Sequence, residues 1–325
     1  MSPLLELNAL EVHYGRVQAV DGVSIRIEAG ETLGLVGESG SGKSSIGRAV
    51  MQIAPNSGGE IHVDGRLVST SDRASLRQLR KTAQMVFQDP YGSLNPKMTV
   101  GAIVAEPLEI NGVGTRESRA RRVRELLAEV GLPEDAGDRH PHEFSGGQRQ
   151  RIGIARALAV EPRLLILDEP VAALDMSIQA QILQLLMTLQ KRTNIAYLFI
   201  AHDLNVVRHV SRRIAVMYLG SIVEIGPSEQ LFANPRHPYT RALISAIPSI
   251  EPGKASSRQI LKGEIPSPAN PPSGCRFRTR CVFARERCAA ERPVLRQAGN
   301  TQVACHFWEQ IASTTGDAIK IEERL

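Results

Sequence analysis

The stretch Gly37-Glu38-Ser39-Gly40-Ser41-Gly42-Lys43-Ser44 sets three glycines, a lysine and a hydroxyl at the spacing of a loop that wraps phosphate. Glycines let backbone N–H groups turn inward around an anion, and a helix that starts on the loop aims its positive end at the same point. Lys43 would add a point charge, Ser44 a hydroxyl for Mg²⁺, and Ser45 would sit beside them in the first helical turn. A second chemical element, Leu164-Leu165-Ile166-Leu167-Asp168-Glu169, is four apolar residues ending in two acids. A buried strand would bring Asp168 to its C-terminal edge, where ligands gather in α/β sheets, to bind the Mg²⁺ water shell. Glu169 would then polarise an attacking water. Together the two elements describe hydrolysis of a nucleoside triphosphate.

Between them lies Phe144-Ser145-Gly146-Gly147-Gln148-Arg149-Gln150-Arg151, followed by helical spacing through Ile152, Ala155 and Leu158. Ser145 suits an N-cap, and Gly146 and Gly147 leave amides open at a helix start, which makes an anion site.

The elements that must hold these groups follow from periodicity. Leu5 to Val12, Val20 to Ile27 and Thr32 to Val36 read as strands separated by Asp21-Gly22 and Ala29-Gly30, a small antiparallel sheet leading into a buried strand. A helix is expected after Gly42, strand again from Glu60 to Val68 around Asp64-Gly65, and an apolar strand from Ala83 to Phe87. From Met98 to about Ala159 the spacing is mostly helical, with Val123, Leu126, Leu127 and Val130 on one face of a segment ending at Gly131. That block reads as an inserted helical subdomain, about 98–160. Leu164 to Leu167, Ala196 to Ile200 and Ile214 to Met217 are short apolar runs between helical segments, as in βαβ units. The core is therefore expected to be α/β.

Past Pro248, prolines spread through a weakly apolar region, so a boundary is placed near residue 250, dividing 1–250 from 251–325. The chain has 325 residues, 42% hydrophobic and 22% charged, the composition of a soluble globular protein. No run reaches the roughly 18 apolar residues of a membrane-spanning helix, and no basic-then-apolar leader opens the sequence, so the expected place is the cytoplasm. The net charge of +5 is scattered rather than gathered in a patch, which argues against nucleic acid as a partner. All four cysteines fall at or after Cys275 in an Arg-rich stretch, which in a reducing compartment points to a metal or cluster rather than to disulfides.

The string Phe144 to Arg151, lying between the two nucleotide elements, resembles the signature motif of the ATP-binding-cassette (ABC) family, over about residues 5 to 250. The resemblance implies a P-loop NTPase core with an antiparallel β subdomain, an inserted helical subdomain and a small Cys-rich C-terminal extension. It implies that Tyr14 stacks on adenine, that Gln88 links Mg²⁺ to the permease contact, that Asp175 lies in a loop across a dimer interface, and that His202 holds the γ-phosphate. Ser145, Gly146, Gly147 and Gln148 would cover the ATP bound by a partner cassette. Ala172 departs from the pattern, standing where many relatives have serine.

Gln88 to Pro96, His237 to Leu243 and the Cys-rich tail are similar to ATPase subunits of bacterial dipeptide and oligopeptide importers, a branch that also includes nickel and glutathione importers. What this implies is an ATPase on the cytoplasmic face of the membrane. It would serve two transmembrane permease subunits and a second homologous ATPase, a heterodimer being preferred over a homodimer. An extracytoplasmic substrate-binding protein would take part indirectly. The alternative from another class is a soluble ABC ATPase acting on ribosomes or DNA. Cys275, Cys281, Cys288 and Cys305, separated by five, six and sixteen residues, are expected to hold a [4Fe–4S] cluster, with Zn²⁺ or unligated thiols as alternatives. Arg276, Arg278, Arg280, Arg285 and Arg287 would offset the charge of such a centre.

Overall fold

Five apolar runs form the strands on which the fold is built, and each sends alternate side chains into two separate cores. In β7, Leu165 and Leu167 enter one core while Leu164 and Ile166 enter the other; in β8, Tyr197 and Phe199 oppose Leu198 and Ile200. Burial on both faces makes such strands continuously apolar in sequence. The computed structural model describes residues 2–247, 261 and 263–313. Its strands and helices begin with β1 (Leu5–Tyr14), β2 (Val17–Ile27), β3 (Thr32–Val36), α1 (Lys43–Val50), β4 (Gly58–Val63), β5 (Arg66–Leu67), α2 (Arg73–Thr82) and β6 (Ala83–Val86). Next come α3 (Val100–Ile110), α4 (Arg116–Glu129), α5 (Gly146–Leu158), β7 (Leu164–Asp168), α6 (Met176–Thr193), β8 (Ala196–Ala201), α7 (Leu204–Val210), β9 (Arg213–Tyr218) and β10 (Ser221–Pro227). The chain continues through α8 (Ser228–Ala233), α9 (Pro238–Ser245), α10 (Glu286–Ala290), β11 (Arg296–Ala298), β12 (Thr301–Val303) and α11 (Trp308–Ser313).

The antiparallel sheet expected at the N-terminus has the order β2-β1-β4-β5, with a turn at Asp64-Gly65 between β4 and β5. The core sheet has the order β11-β12-β10-β9-β3-β8-β7-β6, and its strands from β9 to β6 run parallel. One core lies between this sheet, α1 and the antiparallel sheet; the other lies under α3 to α7 and reaches Tyr239 and Phe277. Strand register sets up the site. Val36 pairs with Ala201, Asp168 with Ile200, and Val86 with Leu167. The residues just after these strands therefore emerge along one edge: the glycine loop, His202, Glu169 and Gln88.

In the helical block, Ile103 and Val104 of α3, Leu126 and Leu127 of α4, and Ile152 and Ile154 of α5 share one core. Helix α4 starts at Thr115, whose hydroxyl caps the amide of Ser118 in a reciprocal capping box, and it ends just before Gly131 at φ +72°.

The Cys-rich segment does not stand apart from the core sheet. Its β12 pairs antiparallel with β10, Glu224 opposite Val303, and the β11–β12 hairpin ends the sheet. The boundary near residue 250 lies outside the described residues. Strand β10 itself has no counterpart in the sequence reading, because Glu224 breaks its apolar pattern at the centre. That carboxylate is fully buried and accepts the amides of Arg236 (2.8 Å) and His237 (2.9 Å), fixing the start of α9. Burial pushes it above the usual carboxylate range.

Leu198 occupies a central strand and is fully buried. Leu198→Ala is expected to lower unfolding stability by about 2–5 kcal/mol, seen as a reduced denaturant midpoint at unchanged slope.

Candidate active site

The glycine loop leaves β3 and turns into α1, as its spacing requires. Gly37 lies at φ +157° and Gly42 at φ +103°; a Cβ on Gly42 would meet the carbonyl oxygen of Ala19 at 2.0 Å, and one on Gly37 that of Met217 at 2.1 Å. Glycine is needed at both positions for backbone conformation and for space. Lys43 folds back over the loop, its ammonium donating to the carbonyls of Gly37 (2.9 Å) and Glu38 (3.0 Å). Burial lowers its pKa, while the nearby carboxylates of Glu169 and Asp168 work the other way. Ser39 and Gly40 are exposed at the tip, Ser41 is buried, and Ser44 and Ser45 are half-buried in the first turn of α1.

Ser44 donates its hydroxyl to Oδ1 of Asp168 at 2.7 Å, joining the loop to the end of β7. Asp168 is 1% exposed, and its Oδ2 has no hydrogen-bond partner among the described residues. Desolvation raises its pKa and the Ser44 hydrogen bond opposes the rise. A buried carboxylate oxygen without a partner, beside a serine hydroxyl, fits the outer shell of a Mg²⁺ ion.

Glu169 is the point where three strand ends converge. Its Oε2 accepts the side-chain amide of Gln88 at 3.1 Å and lies 3.2 Å from Nδ1 of His202. At the C-terminal edge of the parallel strands the sequence-predicted residues thus form two contact groups, Ser44 with Asp168 and Glu169 with Gln88 and His202, while Lys43 bonds the loop itself. Tyr14 ends β1 and is 41% exposed, an open aromatic face on the antiparallel sheet.

Two expected elements point elsewhere. Ser145 caps α5 as its position suggested, in a reciprocal box with Gln148, and Gly147 packs so close to α6 that a Cβ would meet Ile178 at 2.4 Å. No hydrogen bond joins Ser145, Gly146, Gly147 or Gln148 to the glycine loop among the described residues. Asp175 caps α6 through the amide of Ile178 and is exposed.

The four cysteines are free thiols that line one small pocket with Phe277, Phe283, Phe307 and His237. Burial pushes Cys281 up to about 12 and Cys305 up to about 11. Among the described residues no group of three or more His, Cys, Asp or Glu is placed to hold a metal ion. The donor type fits an iron or zinc centre, but the ligand geometry is not assembled.

Four of the five arginines expected to offset the charge of such a centre have other partners. Arg276 donates to the carbonyl of Leu219 and the carboxylate of Asp21, Arg280 pairs with Glu38, Arg287 pairs with Glu291, and Arg285 lies over the ring of Phe307. Arg278 bonds the carbonyl of Ser273 at 2.9 Å; burial pushes the Cys275 thiol up, and the Arg278 charge opposes that rise. Sequence reading missed Arg280 and Tyr239 as neighbours of the loop, because each acts across more than 200 residues with no local pattern to mark it.

The ABC transporter profile matches residues 20–172, which span the glycine loop, Gln88, the Ser145 cap and the Asp168-Glu169 pair. The chain belongs to the ABC transporter ATP-binding family. A second profile, the oligopeptide/dipeptide transporter C-terminal region, matches residues 223–288. The di/tripeptide transport ATP-binding protein DppF of Pseudomonas aeruginosa is 49% identical over 297 residues, covering 91% of this chain and 92% of its own. An oligopeptide transport ATP-binding protein of Bacillus subtilis is 50% identical over 298 residues, covering 90% and 91%. Among solved structures, an ATP-binding cassette captured as a dimer in a post-hydrolysis state with ADP and Pi superposes with a TM-score of 0.63 at 30% identity, over 69% of this chain and 98% of that one. The ABC ATPase has the P-loop core expected of it, and its substrate is ATP with Mg²⁺.

Forcing a side chain onto Gly42 would combine a strained φ, worth about 1–3 kcal/mol, with a backbone clash. Gly42→Ala is expected to weaken Mg²⁺-ATP binding by at least roughly tenfold, measured by equilibrium titration, with far-ultraviolet circular dichroism retained.

Proposed function

We propose that this ATPase energises an importer of dipeptides or oligopeptides, bound peripherally at the cytoplasmic face of the membrane to two permease subunits. The observation that carries the reading is the match, at about half identity and nine-tenths of both lengths, to two subunits named for peptide transport. The C-terminal profile over residues 223–288 supports the same branch. Among the described residues no helix is long and apolar enough to cross a membrane, so movement of solute falls to other chains. Nickel and glutathione remain related substrates of the branch; action on ribosomes or DNA is not favoured by these relatives.

In the proposed cycle the loop from Gly37 to Ser44 wraps the phosphates, with Lys43 released from the carbonyls of Gly37 and Glu38 to reach them. Tyr14 stacks on adenine. Ser44, Asp168 and Gln88 would hold Mg²⁺, which would neutralise charge on the phosphates. Glu169 orients and polarises the attacking water, and His202, already within reach of the same carboxylate, holds the γ-phosphate. Ser145, Gly146, Gly147 and Gln148 act in the site of a second cassette, with Asp175 beside the interface. That partner is a homologous chain rather than a second copy, and an extracytoplasmic binding protein delivers the solute. Residues 1–250 form the nucleotide-binding domain and 251–325 an extension.

Within that extension we infer a structural [4Fe–4S] cluster on Cys275, Cys281, Cys288 and Cys305, zinc being the alternative. Support comes from four unpaired thiols lining one pocket in a segment with few apolar residues of its own. When bound, the cluster would staple that segment.

Glu169→Gln is expected to lower steady-state hydrolysis by about a hundredfold or more while ATP binding stays within about twofold, because the affinity resides in the loop. Near-normal turnover would overturn the assigned role. Anaerobically purified protein is expected to be brown, with iron and acid-labile sulfide near about four each per chain, and Cys281→Ser to bleach it. Colourless protein with stoichiometric zinc would replace the cluster by zinc.

A further inference from the structure

The second residue of the phosphate loop is a carboxylate, which is an awkward neighbour for a triphosphate. Glu38 does not face the ligand space unpaired. Both of its carboxylate oxygens accept hydrogen bonds from the guanidinium of Arg280, Nη1 to Oε2 at 2.6 Å and Nη2 to Oε1 at 3.1 Å. The fork-to-fork geometry is the strongest form of such a pair and fixes direction as well as charge. Arg280 is only 8% exposed. The hydrogen bonds to the Glu38 carboxylate hold the Arg280 pKa above its ordinary range, so the guanidinium stays charged.

The backbone of the same residue is held as well. The amide of Glu38 donates to the hydroxyl of Tyr239 at 2.9 Å, and the carbonyl of Ser41 accepts the amide of Gly220 at 2.9 Å. Tyr239, Tyr218 and Phe277 form a buried cluster with ring centroids 4.8 to 5.4 Å apart. Phe277 anchors Arg280 three residues later, through a turn in which the amide of Arg280 donates to the carbonyl of Phe277 at 3.0 Å. Arg280 also lies 5.9 Å above the ring of Tyr218. The start of the loop at Glu38 therefore rests on a wall contributed by α9 and by the segment that carries the cysteines.

We propose that Arg280 is a positioning residue for ATP binding, neutralising Glu38 and holding the phosphate loop open from behind. Without it, the Glu38 carboxylate stands in the loop as an uncompensated negative charge, free to repel the phosphates or to capture Lys43. The effect of Arg280 thus runs through Glu38 and disappears when Glu38 carries no charge. A role confined to docking the extension would instead give the same loss whatever stands at position 38. The inference rests on the reading that residues 37 to 44 bind nucleotide.

The test is a set of variants of the full chain, titrated with Mg²⁺ and a fluorescent ATP analogue and checked by circular dichroism. Arg280→Gln is expected to weaken binding by roughly tenfold, and Arg280→Lys, which keeps the charge but loses the fork, by roughly threefold. In a Glu38→Gln background each substitution is expected to change affinity by less than about twofold. In the assembled transporter the same loss should appear in KM with kcat little altered. Unchanged affinity in Arg280→Gln, or an equal loss in both backgrounds, would overturn the proposal. If Arg280→Gln does not fold, the Arg280→Lys comparison across the two backgrounds decides by the same criterion. Lys43→Ala separates the two levels of inference: intact ATP binding in that variant would sink the nucleotide-site reading itself, whereas a loss there with no effect at Arg280 would sink this proposal alone.

Discussion

The hydrogen bond from Ser44 to Asp168 joins positions 124 residues apart, and the architecture can be read as what is needed to make it. Strand β8 lies between β3 and β7, so the loop after β3 and the acid ending β7 must reach toward each other across one strand width. They do so because the three strands are parallel and in register, Val36 opposite Ala201 and Asp168 opposite Ile200. A parallel sheet needs crossover connections, and here those crossovers carry the remaining groups: the helical block between β6 and β7, and α6 between β7 and β8. One constraint on strand ends therefore brings residues from four chain segments to one edge.

The same edge concentrates buried charge. Lys43 and Asp168 are both nearly inaccessible, and burial moves their pKa values in opposite directions, each toward its neutral form. Lys43 is satisfied by loop carbonyls and Asp168 by one hydroxyl, its other oxygen having no partner among the described residues. A triphosphate with Mg²⁺ would offer both groups opposite charge in place of these neutral partners. Differential stabilisation of this kind gives the ligand leverage over conformation, since a ligand shifts an equilibrium only by as much as it prefers one state.

Much of this was legible in the sequence because the signals are local. Gly37 to Ser44 is a contiguous pattern whose φ values and close approaches demand glycine, and Leu164 to Glu169 is an apolar run ended by acids. Gln88, His202 and Tyr14 were legible only through their order relative to those two motifs, since a lone glutamine, histidine or tyrosine has no pattern of its own. Strand β10 was hidden by Glu224, a buried acid whose partners are amides more than ten residues away. The Arg280–Glu38 pair was illegible for the same reason at larger scale, its partners lying 242 residues apart. The neighbouring cysteines drew the arginines into a metal-centred reading that long-range pairing with Asp21 and Glu38 overrides.

Glu169 shows how the core sheet is made to serve chemistry. It is a non-glycine residue in the left-handed region, at φ +47°, immediately after a regular strand. Such a conformation costs about 1–3 kcal/mol and persists only where the surroundings over-determine it. Here the amide of Glu169 donates to the carbonyl of Ile200 at 2.9 Å, so the ladder between β7 and β8 holds the strained residue in place. The twist ends the strand abruptly and brings the carboxylate within 3.2 Å of both Gln88 and His202. In an extended continuation the side chain would keep the alternation of β7 rather than swing toward the neighbouring strand ends. The strain is thus the local consequence of turning a buried strand into an edge of converging polar side chains within a single residue, and the ladder between β7 and β8 holds that conversion in place.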